Sequence, residues 1–306
     1  MSKSIFFRLV FYALMLALPC YSSCSDTDDD KASTESSGAN VNKNDTSKEP
    51  ALARLEFPKV KGGNSLVLIH STNDSYGINY SVEWDSDKQS QRWSCYQMTS
   101  ETLAKNTTRF NDGYLPDPLL PSNPDLIKGN GFDHGHICPS ADRLYSADAN
   151  MQTFYLTNMQ PQYAAFNGSL RDNEAYKNNW SPWYRLESQV RTWANASATE
   201  VLYVVKGGTI EDHQLLAKKG ELRVPKYYFV ALLLKNAQGY KAVGFWMEHQ
   251  SSYASKLELS SYAVNIRTLE QNTGIDFFCN LPDDIEERVE TLPKENIINA
   301  WSLKGL

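Results

Sequence analysis

The chain has 306 residues, is 41% hydrophobic and 12% aromatic, and carries a formal net charge of −6. That length supports one sizeable core. The acidic balance argues against a uniformly basic nucleic-acid binder, so any action on nucleic acid must rest on a local positive site or a bound metal. The chain opens with MSKSIFFRLVFYALMLALPCYSSC, in which Lys3 and Arg8 precede an apolar run from Leu9 to Leu18 and then small residues. This is the layout of a secretory signal peptide, and the run is too short for a permanent membrane span. Ser22 and Ser23 before Cys24 resemble a lipoprotein cleavage box, which implies export and an N-terminal lipid on Cys24. An outer-membrane lipoprotein, facing the cell surface or the periplasm, is expected. Residues 25–55 read as an acidic, polar, disordered tether, because residues 25–50 contain no aromatic and almost no apolar side chain. Asp26, Asp28, Asp29 and Asp30 resemble the acidic tag of surface-exported lipoproteins. Residues 56–306 read as one domain. Once the leader (+2) and residues 25–50 (−4) are set aside, the rest of the chain carries −4.

Within that domain, residues 64–72, 77–84 and 91–99 are β-rich runs separated by turn residues. Residues 106–126 form a proline-rich loop, and MQTFYLTN (151–158) reads as a strand. SPWYRLESQVRTWANA (181–196) reads as a helix capped by Ser181, with Pro182 in its first turn and Trp183, Leu186, Val190 and Trp193 on one face. Strands follow at 199–208, 225–234 and 240–247, a helix at 260–274 stopped by Gly274, and a last short helix at 281–292. Strands and helices do not alternate strictly. This favours an α+β fold, with a largely antiparallel central sheet flanked by helices, over a doubly wound one. Cys95, Cys138 and Cys279 allow at most one disulfide and leave one thiol over.

The chemistry concentrates in FDHGHICPSADRLYS (132–146), which holds His134 and His136, two of five histidines. Two histidines at i and i+2 of a strand face the same way, an arrangement that also suits zinc. A zinc hydrolase would need further ligands from distant chain. Downstream, Asn158 and Asn167 offer neutral amide oxygens, suited to a hard cation such as Mg²⁺ that keeps most of its waters. A histidine base beside a sparsely held Mg²⁺ is what phosphodiester hydrolysis needs. Cys138 lacks a matching Cys-His-Asn pattern for nucleophilic work. Trp180, Trp183 and Trp193 read as core before they read as base-stacking platforms, and Lys206 and Lys226 as ordinary solvated lysines.

The order DHGHICPSAD, FYLTNMQPQ, FN, WYRLE resembles the DNA/RNA non-specific endonuclease family, the ββα-metal (His-Me finger) nucleases such as the Serratia nuclease and endonuclease G. The resemblance extends through VPKYYFVALLL, GFWMEHQ and TGIDFFCNLPDD, covering roughly residues 64–290. It implies cleavage of DNA and RNA to 5′-phosphate and 3′-hydroxyl ends, with Mg²⁺ as cofactor and Mn²⁺ as a substitute. His136 matches the general base, Asn158 the supporting asparagine at the strand end, Glu187 the acid that holds the metal's water shell, and Arg109 a phosphate-clamping arginine. Asp133, His134 and Gly135 complete the motif around the base. Two departures stand out. His134 occupies the place of the family's arginine, and about twelve extra residues separate Asn167 from Trp183. Spacing from Gln162 makes Asn167 the metal ligand; spacing from Trp183 makes it Asn179. The rival to a nuclease is a catalytically decayed surface lipoprotein that binds nucleic acid or glycan.

Overall fold

The computed structural model describes residues 38–168, 181–253, 255–256 and 258–306. The leader, Cys24, residues 25–37, Asn179 and Trp180 lie outside them. Three strands come first: β1 (Ser65–Ser71), β2 (Ile78–Asp85) and β3 (Ser90–Met98). A short ribbon follows, made of β4 (Asp133–His136) and β5 (Met159–Gln162), with helix α1 (Ala147–Gln152) between its strands. Helices α2 (Ala164–Asn167) and α3 (Pro182–Ala194) lead to β6 (Val201–Gly208). The chain continues through the β7 (Leu215–Lys219) and β8 (Leu222–Pro225) hairpin to β9 (Tyr227–Asn236) and β10 (Gly239–Glu248). It ends with α4 (Leu259–Tyr262), β11 (Ala263–Val264), α5 (Ile266–Thr273), α6 (Asp283–Glu290) and α7 (Lys294–Ala300).

The central sheet is seven-stranded, in the order β1-β2-β3-β6-β9-β10-β11, and every neighbouring pair is antiparallel. Both faces are covered, and strand alternation divides the core in two. On β6, Leu202 and Val204 pack with Trp183, Leu186 and Val190 of α3. Tyr203 and Val205 pack on the other face with Ile266 and Leu269 of α5 and Val289 of α6. The expected face of α3 therefore forms, and Trp183 is core. Trp193 is partly buried, stacked near Phe245 and edge-on to Trp301.

Several expectations need correction. Residues 151–158 are not a strand: α1 is capped by the Ser146 hydroxyl, which accepts from the Ala149 amide, Tyr155 makes an isolated bridge to Leu115, a 3-10 turn spans Leu156–Asn158, and ribbon pairing begins at Met159. The helix expected over 260–274 is broken, because Ala263 and Val264 pair with Phe245 and Gly244 of β10. It restarts at Ile266 under an Asn265 cap and stops at Gly274, which adopts φ 67°. The β7–β8 hairpin and α7 were not anticipated.

Residues 38–55, placed with the tether by composition, pack on the domain instead. Asn40 donates to the carbonyls of Cys279 and Leu281. The amide nitrogen of Asn44, a buried residue, donates to the Pro58 carbonyl at 3.0 Å, and its oxygen accepts from the Val60 amide at 3.0 Å. Composition measures apolar burial, whereas this strap is held by side-chain amides. Asn44→Ala leaves those backbone groups unpaired and is expected to cost about 1–3 kcal/mol, read from the urea midpoint at unchanged slope.

Candidate active site

The site is built on the β4–β5 ribbon. Asp133 pairs with Gln162, and His136 with Met159. Gly135 is required by close approach, since a Cβ there would lie 2.2 Å from Cδ of Gln162. The Tyr114 ring stacks on His134 at 3.9 Å and 16°, and lies 6.1 Å from His136. This is the shared strand face that the i, i+2 spacing implies. His134 Nε2 lies 2.8 Å from Oδ1 of Asp125, so the residue at the departed motif position is fixed by a carboxylate and by an aromatic face.

His136 is handled differently. Phe154 meets its ring edge-on at 4.8 Å, and its Nε2 is buried with no hydrogen-bond partner among the described residues. Burial pulls its pKa down to about 3, helped by the positive charges of Arg109, His134 and Lys206 and opposed by a hydrogen bond to the His134 backbone. The imidazole is therefore neutral at any ordinary pH. The Arg109 guanidinium lies over the Phe154 ring at 4.8 Å, on the ring that also meets His136.

Asn158 is buried and its amide is fully engaged. Its nitrogen donates to the carbonyls of Cys138 (2.9 Å) and Thr153 (2.8 Å), and its oxygen accepts from the Cys138 amide (2.8 Å) and the Ser94 hydroxyl (3.4 Å). It holds the exit of β4 to α1 and to the central sheet, and has no capacity left for a ligand.

Asn167 ends α2, and its nitrogen donates to Oδ2 of Asp133 at 3.0 Å. The amide oxygen remains as an acceptor of the kind a hard cation uses. The start of α2 is held by His249, whose Nε2 accepts from the Tyr163 amide at 2.7 Å while Nδ1 lies 2.9 Å from the Pro225 carbonyl. With Nε2 accepting, Nδ1 carries the proton. At the far end of α2, the Ser181 hydroxyl donates to the Phe166 carbonyl and accepts from the Tyr184 amide. A Cβ on Gly168 would lie 2.6 Å from that of Tyr184. The start of α3 therefore abuts the end of α2, so residues on either side of the extra segment are neighbours whatever its length. Asn179 falls outside the described residues.

Glu187 projects from α3, and its Oε1 lies 2.6 Å from Lys206 Nζ. The solvated role expected of Lys206 is corrected: it is 2% exposed, and its ammonium also sits over the Trp183 ring at 4.4 Å. Lys226 lies with its ammonium 5.3 Å from the Tyr227 ring centre. Among the described residues no three His, Cys, Asp or Glu side chains converge to hold a metal, so the zinc reading of His134 and His136 finds no third ligand there. Cys95, Cys138 and Cys279 are all free and buried, so no disulfide joins them. Burial raises the Cys138 thiol to about 11, which removes it as a nucleophile at neutral pH.

The sequence profile described as DNA/RNA non-specific endonuclease matches residues 68–284. The chain belongs to that family. A nuclease of Nostoc is 29% identical over 72% of this chain and 79% of its own length. The mitochondrial nuclease EXOG of Xenopus laevis is 25% identical over 68% of this chain and 58% of its own. Endonuclease G of Bos taurus is 25% identical over 66% of this chain and 68% of its own. The chain thus spans somewhat more than half of EXOG. A solved structure of EndoG with EndoGI superposes with a TM-score of 0.56 at 22% identity, covering 72% of this chain and 89% of that one. At that identity the likeness bears on the fold, which is the α+β, largely antiparallel ββα-metal nuclease fold expected.

Three residues that hold the candidate site, Tyr114, Asp125 and His249, are not singled out by the sequence, and a fourth, Lys206, reads there as solvated. Tyr114 and Asp125 lie in the proline-rich loop, and nothing in their spacing marks them. A lysine in the middle of VLYVVKGG, an otherwise apolar strand, was the one available signal. Gly135→Ala forces β4 away from Gln162. It is expected to cost about 1–3 kcal/mol in urea denaturation and to lower nuclease activity by displacing His136.

Proposed function

We propose that this endonuclease hydrolyses DNA and RNA phosphodiester bonds without sequence preference, with His136 as general base and a hydrated Mg²⁺ held by the Asn167 oxygen. Mn²⁺ would serve in its place. One observation carries the reading: a neutral imidazole whose buried Nε2 has no hydrogen-bond partner among the described residues. A buried nitrogen without a partner is costly, and a proton from an attacking water supplies one. The donor set fits a hard cation. The nitrogen of Asn167 is committed to Asp133, which orients its oxygen, and Glu187 offers a carboxylate acceptor for metal-bound water. When bound, the ion would neutralise charge building on the phosphorus centre and the leaving oxygen.

His136 takes the proton from water, Arg109 binds the phosphate beside it, and Asn158 and Asp133 act on position rather than on substrate. Contacts of this kind address the phosphate, so they carry no base identity. The resemblance implies 5′-phosphate and 3′-hydroxyl products. Asn167 is preferred to Asn179 because α2 delivers it to Asp133 and abuts α3. We further propose export through the leader and anchoring by lipid on Cys24, which suits scavenging of external nucleic acid. Among the described residues no helix is long and apolar enough to cross a membrane.

His136→Ala is expected to lower Mg²⁺-dependent cleavage of plasmid DNA and structured RNA by at least about 100-fold, with chelation abolishing it in the parent. Asn167→Ala should raise the Mg²⁺ requirement while Asn179→Ala should not. A parent that binds nucleic acid without cleaving it from pH 5 to 9 would instead make this a binding lipoprotein.

A further inference from the structure

Lys206 is an anomaly in its strand. It shares a face of β6 with Leu202 and Val204, beneath α3, among Tyr96, Trp183, Leu186 and Val230. An ammonium there is costly unless paired. Its pairing is specific: Glu187 Oε1 at 2.6 Å and the Trp183 ring at 4.4 Å, two residues one turn apart on α3. Stability does not explain it. Replacing a buried ion pair by well-packed apolar side chains is often neutral or favourable, so an aliphatic pair would join sheet to helix at least as well. What an aliphatic residue would not do is hold a carboxylate in one orientation at the edge of the site.

We propose that Lys206 is a positioning residue for the hydrolysis, fixing Glu187 through Oε1 so that its second oxygen faces the donors of a cation's water shell. The inference rests on the role proposed above for Glu187. Lys206 lies outside the sequence pattern that marks the site, and it acts through Glu187 rather than on substrate.

The test uses the full chain solubilised in detergent, with Lys206→Met, Lys206→Arg and Glu187→Gln. Turnover on plasmid DNA at saturating Mg²⁺, Mg²⁺ affinity of the free protein by calorimetry, and Tm are measured on each. Lys206→Met is expected to lower turnover about 10- to 100-fold, the usual effect of losing a residue that orients a metal's partners. Mg²⁺ should still bind, because removing a positive charge does not weaken a dication site. Lys206→Arg, which keeps the charge and the donors, should recover most of the turnover. If the Met variant fails to fold, Lys206→Gln is read in its place. Parent-like turnover in the uncharged variant, or equal losses in the uncharged and Arg variants that follow Tm alone, would overturn the proposal. A fully active Glu187→Gln would remove the role of Glu187 itself; an impaired Glu187→Gln beside a fast Lys206→Met would overturn only this inference.

Discussion

A single buried amide organises the site. Asn158 grips the Cys138 backbone by both its N–H and its C=O, and reaches Thr153 and Ser94 with what remains. Those four bonds tie three pieces of structure together: the exit of β4, the end of α1, and strand β3 of the main sheet. The two-stranded ribbon β4–β5 would have little stability alone. With its exit pinned, and with Gly135 letting Gln162 pack directly against it, the ribbon becomes a rigid mount for His136. Loss of the amide would strand several buried backbone groups at once, so its effect on the placement of His136 is indirect but large.

The electrostatics of the site are local. The domain as a whole is acidic, yet Arg109, His134 and Lys206 all act on His136 in the same direction as its burial. These effects keep the His136 ring unprotonated across the physiological range, and the same effects lower its affinity for a proton. Lys206 is balanced by Glu187, and His134 by Asp125.

Much of the fold was legible because it follows short-range rules. The six main strands and α3 appear near their expected places, with Ser181 capping and Gly274 stopping their helices as read. Failures share one cause: a tertiary contact overrode local pattern. Ala263 and Val264 have a helical context but complete the sheet edge at β10. Met151 and Gln152 close α1, and the backbone of Phe154 and Leu156 bonds instead to Leu115 of the proline-rich loop. Asn40 and Asn44 look like tether residues until the carbonyls they serve, more than two hundred residues away for Asn40, are in view. The candidate site was legible in its motif residues and in little else. His136, Asn158, Asn167 and Glu187 sit in recognisable spacing, whereas Tyr114, Asp125, Lys206 and His249 reach the site from loops and strands that no local spacing connects to it. Asn158 was read with the chemistry, and its geometry gives it to the framework.

The state of the His136 ring is the point on which the account turns. Side-chain ¹⁵N–¹H correlation spectra of the metal-free protein, recorded from pH 8 down to pH 5 and assigned by comparison with His136→Ala, measure it directly. The account predicts that the His136 nitrogens keep neutral-imidazole shifts throughout, because burial and neighbouring cations hold the pKa near 3. A titration midpoint near the unperturbed value of about 6.5 would show a ring that is solvated rather than enclosed, and would contradict it.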